Sequence, residues 1–264
     1  MKADKAVRPA RNLLALLLMA FACLPANAAA TQSAQLHVEF TPERLGHGTT
    51  VQFMVQIHAP GGRVPSPLTS LELRYPGDLG IAASGLGLST CTPSKLELLG
   101  PKGCPADSRM GRGSALTEIP IGPEIVQERA SIAIVRAPEQ EGHLALLFYA
   151  DSENPVETQI VFPGVLLSNP LNSDESILLK VPLVPSLPGA PDVAVVTLSA
   201  DLGPQGLTYF ERTNGHLVAY RPQGILLPSR CPRSGFAFSA TFAFLDGSKT
   251  SARSAVPCPA RPRH

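Results

Sequence analysis

Apolar residues recur at every second position in Leu36-His37-Val38-Glu39-Phe40 and in Val51-Gln52-Phe53-Met54-Val55-Gln56-Ile57. That is the period of a strand with one buried face. Gly46-His47-Gly48 supplies a turn between them, and Leu71-Glu72-Leu73-Arg74-Tyr75 repeats the pattern until Pro76-Gly77 stops it. Further short strands are predicted at about 112–119, 130–136, 143–150, 157–163 and 177–181. Leu144-Ala145-Leu146-Leu147-Phe148-Tyr149 is nearly all apolar, which predicts a place near the centre of a sheet. Residues 79–90 are rich in Gly and Leu and show no clear period.

Two hairpins are predicted near the C-terminus. Asn214-Gly215 is a type I′ turn pair, and counting back from it places Tyr209 opposite Tyr220. Asp246-Gly247 joins two long runs, the first of which puts Phe236, Phe238, Ala240, Phe242 and Phe244 on one face. A two-residue turn there places Cys258 opposite Gly235, so that Cys231-Pro232-Arg233-Ser234 must curl back to reach Cys258. The single helix expected lies between Cys91 and Cys104. Thr92 stands where a cap is needed, Pro93 suits the first turn, and Gly100-Pro101 ends the segment.

Pro182, Pro185, Pro188 and Pro191 recur every third residue, the repeat of a polyproline II helix. A stiff spacer or crossover is the favoured reading, ahead of a Pro-rich recognition motif. This gives an expected division into a β-sandwich domain over 31–181, a Pro-rich crossover over 182–191, and a hairpin-rich C-terminal domain or subdomain over 192–264. The predicted class is all-β, with one or two antiparallel sandwiches connected as Greek keys.

Residues 1–30 change the picture. Lys2, Lys5, Arg8 and Arg11 precede an apolar run from Leu13 to Leu24, followed by Pro25 and Ala26-Asn27-Ala28-Ala29-Ala30. The order of basic, apolar and small residues is that of a cleavable secretory signal. The run is shorter than the roughly 20 residues a membrane helix needs, and no later span reaches that length. Cleavage after Ala28 or Ala30 removes Cys23; lipidation of Cys23 is the alternative.

Export then decides the chemistry of the remaining cysteines, Cys91, Cys104, Cys231 and Cys258. An even number in an oxidising compartment reads as two disulfides. Of the three connectivities, the local pairs Cys91–Cys104 and Cys231–Cys258 are favoured, each stabilising the fold by about 3 kcal/mol. A zinc site is the rival, with unsuitable spacings and no nearby histidine.

Charged residues are 16% of the chain, and the net charge is +1 without a long basic or acidic block. Binding to nucleic acid or to an anionic membrane is therefore not expected. Neither Gly87-Leu88-Ser89-Thr90-Cys91 nor Gly111-Arg112-Gly113-Ser114-Ala115 is a Gly-x-Ser-x-Gly elbow. Gly247-Ser248-Lys249-Thr250 lacks the upstream glycine of a phosphate loop. His37 and His58 approach if their strands are neighbours, and Glu39 or Glu72 then completes a metal site; isolated surface histidines are the plainer reading. Asp151-Ser152-Glu153-Asn154 and Asp174-Glu175 are the densest oxygen-bearing clusters, without the spacing of a calcium loop or a defined carboxylate pair. No catalytic, cofactor or metal constellation stands out. Trp is absent, so the candidate ligand platform is the pair Tyr209 and Tyr220, whose alternative is a buried cross-strand contact.

The stretch Cys91…Gly100…Cys104-Pro105-Ala106-Asp107-Ser108-Arg109-Met110-Gly111 resembles a Cys–Pro–x–x–Ser–x–x–Gly segment of uncharacterised exported β-sandwich proteins of high-GC soil bacteria. Cys231…Phe236…Phe242…Asp246-Gly247…Cys258 is similar to their closing pattern. The resemblance implies architecture and an extracytoplasmic location, without an activity. The functional expectation is a secreted or cell-surface protein, non-enzymatic, with a structural or interaction role. The alternatives are a binding module for carbohydrate or another envelope ligand, and a hydrolase with an unfamiliar site.

Overall fold

The computed structural model describes residues 32–152, 157–168, 174–185 and 192–259. The expected signal segment, with Cys23, lies outside them, as do Glu153, Asn154, Pro188 and Pro191. The chain forms β1 (Ser33–Thr41), β2 (Gly48–His58), β3 (Leu68–Pro76), the helix α1 (Pro93–Leu99), β4 (Arg109–Ile121) and β5 (Glu124–Gln140). It continues through β6 (His143–Ser152), β7 (Thr158–Ser168), β8 (Asp174–Lys180), β9 (Ala194–Leu202) and the hairpin β10 (Tyr209–Thr213) and β11 (His216–Tyr220). The last strands are β12 (Ile225–Leu226), β13 (Phe236–Phe244) and β14 (Lys249–Val256).

Eleven strands form one antiparallel sheet in the order β1-β2-β9-β4-β5-β6-β7-β8-β3-β13-β14, and β12 adds a short pairing to β2. Strand direction alternates along this order, so the first and eleventh strands, β1 and β14, point the same way. They lie side by side with no ladder between them among the described residues. The sheet is thus a nearly closed barrel with one unlaced seam. The face-to-face packing expected of a sandwich is met across its interior: Phe40 of β1 packs edge-on against Phe236 at 5.1 Å, and Phe53 of β2 against Phe238 at 6.0 Å.

Local pattern explains each wall. In β13 the five residues Phe236, Phe238, Ala240, Phe242 and Phe244 are all buried on the inner face. In β6 both faces are covered. Leu146 joins the barrel core, whereas Ala145, Leu147 and Tyr149 face outward onto Leu96 of α1 and the Cys91–Cys104 pair. This second small core is why Leu144–Tyr149 shows no polar alternation. The Cys91–Cys104 and Cys231–Cys258 disulfides are both formed. Thr92 occupies the N-cap position without making a side-chain cap; its hydroxyl lies 3.5 Å from that of Ser94 instead.

Strands from both sides of the Pro-rich crossover share the sheet: β9 lies between β2 and β4, and β13 against β3. The described residues belong to one compact unit. The ends of that crossover meet, with Pro185 bridged to Asp192 and the Val193 N–H donating to Val184 O.

The Asn214-Gly215 hairpin has the expected register, Tyr209 opposite Tyr220, with φ of 51° and 81° at the two turn residues. The β13–β14 hairpin is one residue longer than expected. Its ladder pairs Phe236 with Val256 and Ala243 with Lys249, and the Gly247 N–H donates to Phe244 O. Gly247 has φ of 81°, the left-handed residue that closes a three-residue loop. Cys258 therefore falls opposite Ser234, and the Gly235 N–H donating to Pro232 O makes the bend that returns Cys231 to it.

Candidate functional site: an apolar cavity inside the barrel

Inward residues of β4, β5, β6 and β7 form rows along the hydrogen-bonding direction. The innermost row is Ile134, Phe148 and Phe162. Next come Ile132, Ala150 and Ile160, then Ala115, Ala130, Ser152 and Thr158. The outermost is Thr117 with Glu128. Aromatic and branched residues thus give way to methyl groups, then hydroxyls, then a carboxylate, over a few strand steps of about 3.3 Å per residue.

These rows wall a cavity of about 130 Å³, closed on the other side by β3, β8, β9 and the segment Val181–Val184. A second cavity of about 70 Å³ lies deeper and shares Leu71, Phe148, Leu179, Leu198 and Ala200 with the first. The space exists because small residues stand where a packed barrel would carry large ones: Ala115, Ala130, Ala150 and Ala200 all face it. Gly164 permits the Phe148 ring to lie across its strand, since a Cβ there would come within 2.8 Å of Phe148 Cε2. Phe148 stacks on Phe162 at 5.4 Å and floors the outer cavity.

Glu128 is the one charged residue among the described residues lining the outer cavity, and it is only 4% exposed. The Thr117 hydroxyl donates to the Glu128 backbone carbonyl at 3.3 Å, which ties the two residues of the outermost row together.

The sequence-based candidates fall elsewhere. Tyr209 is fully buried, and its ring meets Tyr220 edge-to-face at 5.8 Å. Its hydroxyl donates to Arg109 O and accepts the Gly87 N–H. The pair is a core contact, not an exposed platform. His37 and His58 are on paired strands, but Ser33 is the residue opposite His58, leaving the histidines four residues out of register. His37 Nε2 lies 2.7 Å from Glu39 Oε1 on the exposed face, and Glu72 accepts from Arg74 Nε at 2.9 Å. Among the described residues no three of His, Cys, Asp and Glu gather as a metal site. Asp151 and Glu175 are half-buried.

Glu128, Thr117 and Thr158 carry no sequence motif. Each sits at an inward position of an otherwise apolar strand face, and only the register across four strands shows that they share one end of a cavity. Comparison with known protein families, curated proteins and solved structures returned no match.

Proposed function

We propose that this chain is an exported, non-enzymatic binding protein whose barrel takes a small apolar molecule between β4–β7 and β8–β9. The observation that carries this reading is the cavity of about 130 Å³ with its almost wholly apolar wall. An apolar cavity of about 150 Å³ stays dry and accepts a benzene-sized guest, so this space suits a small aromatic or short aliphatic body. The order of basic, apolar and small residues over 1–30 and the two disulfides support export, since disulfides persist in oxidising compartments.

Toluene tests the reading. A saturating guest raises stability by RT ln(1 + [L]/Kd), about 2.7 kcal/mol at a hundredfold excess over Kd. Toluene should raise the melting temperature of the wild-type protein and leave that of Ala150→Phe, whose ring fills the space, unchanged. A wild-type protein indifferent to toluene would overturn the proposal.

A second reading, an interaction protein of the cell exterior, rests on the β10–β11 hairpin. Phe210 and Leu217 are exposed there and share one face, because Phe210 opposes Ala219 and Arg212 opposes Leu217. Under that reading, Phe210→Ser with Leu217→Ser releases the protein from the cell surface without lowering its stability; unchanged retention would exclude it.

A further inference from the structure

We infer that the guest is an unbranched aliphatic chain, lying along the strands with its far end past Phe148 in the inner cavity. This rests on the outer cavity being a binding site at all, and specifies the shape of what enters it. The two cavities follow one another along the strands. On β6 the inward residues Ser152, Ala150 and Phe148 line the outer one, and Phe148 and Leu146 line the inner one. The lining advances in the same sense on β3, from Leu68 through Leu71 to Leu73, and on β9, from Leu198 through Ala200 to Leu202. The run from Ser152 to Leu146 spans about 20 Å of strand.

The inner space sets the class of guest. Its volume is about 70 Å³, well below the roughly 150 Å³ that accepts benzene, and every described residue lining it is apolar. A ring does not fit there; the end of an alkyl chain does. Between the two spaces is a waist formed by the side chains they share, Phe148 facing Leu71, Leu179 and Leu198. Phe148 is half-buried although it points into the barrel, so part of its ring borders open space. A Cβ at Gly164 would stand 2.8 Å from Phe148 Cε2; its absence lets the ring settle over β7, and a chain passes beside it where a wider body stops. A guest that spans both spaces loses its free motion only once, and gains about fourfold in affinity for each methylene buried.

The test is a calorimetric titration of the whole protein with toluene, with straight-chain alcohols from hexanol to decanol, and with adamantanol, a compact alcohol with as many carbons as decanol. Affinity should climb about fourfold per methylene along the straight-chain series, and decanol should bind more tightly than adamantanol. Ala240 lines the inner cavity and not the outer one. Ala240→Leu should therefore abolish the climb beyond hexanol and leave toluene binding unchanged. Should that variant fail to fold, the smaller Ala240→Val should weaken decanol and not hexanol. Toluene binding in the wild-type protein without a climb, adamantanol binding as tightly as decanol, or a climb that survives in the folded Ala240 variant overturns the inference and spares the outer cavity. Failure of every probe, toluene included, to bind the wild-type protein overturns the cavity reading together with it.

Discussion

Gln32 and Ser248, 216 positions apart, meet through a hydrogen bond of 3.1 Å from Gln32 Nε2 to Ser248 Oγ. The same buried amide accepts the Ser66 N–H at 2.8 Å. One side chain thereby fastens the start of β1 to the β13–β14 turn and to the approach to β3, at the seam that no ladder closes. Gln32→Ala leaves the Ser66 N–H without its acceptor, and the expected loss is about 1–2 kcal/mol. A urea titration checks it; an unchanged midpoint would show that the seam does not depend on this contact.

Tyr209→Phe keeps the ring packing against Tyr220 and removes only the hydroxyl. That hydroxyl joins Gly87 of the irregular loop before α1 to Arg109 at the start of β4, and the Gly87 carbonyl in turn accepts from Arg136 Nη1 at 2.9 Å. Leaving a buried donor and a buried acceptor unmatched costs about 1–3 kcal/mol. Hydrogen exchange at Gly87 should accelerate in the variant, and equal protection in the two proteins would refute the role.

Removing Cys91–Cys104 by a double Ser substitution should cost about 3 kcal/mol through the unfolded state. It should also free α1, whose Leu96 is buried against Val135 and Leu147. Limited proteolysis should then cut the wild-type protein slowly and the variant rapidly within 92–103. Equal cutting rates would mean that Leu96 packing alone holds the helix.

Alkali should unfold the protein for a definable reason. Burial holds the Tyr75 phenol far above its ordinary value of 10.0, and the neighbouring Glu175 carboxylate pushes the same way; burial also raises Tyr209. The folded state therefore keeps these protons longer than the unfolded chain does. Stability from this source is intact below pH 10 and declines as pH rises above it, by up to about 1.4 kcal/mol per pH unit for each withheld phenol. Tyr75→Phe should make the decline shallower between pH 10 and 11 in urea titrations. Identical slopes would assign the alkaline loss to other groups.

Local features were legible in the sequence because local chemistry determines them. Asn214-Gly215 placed Tyr209 opposite Tyr220 through turn geometry alone, and the two-residue alternation marked the inner faces of β1, β2, β3 and β13. Asp246-Gly247 misled by one residue, because Gly247 serves either as the second residue of a two-residue turn or as the left-handed end of a three-residue loop. Thr92 looked like a cap, yet its hydroxyl lies beside Ser94. What stayed hidden was long-range: β9 entering between β2 and β4, β3 pairing with β8 and β13, and the near-closure of the sheet. The cavity was hidden with them, since Ala115, Ala130, Ala150 and Glu128 acquire a common meaning only once four strands are in register.

The unlaced seam has a consequence for the order of events in time. Its two sides, β1 and β14, are the earliest and latest strands of the described chain to leave the ribosome. The aromatic stripe of β13 cannot find Phe40 and Phe53 until almost every intervening residue has been synthesised. Pairings so distant in sequence form slowly, and exposed strand edges invite aggregation meanwhile. Maturation of this barrel is therefore completed by its last hairpin, and a chain truncated before Phe236 should accumulate as an open, sticky sheet instead of a smaller folded one.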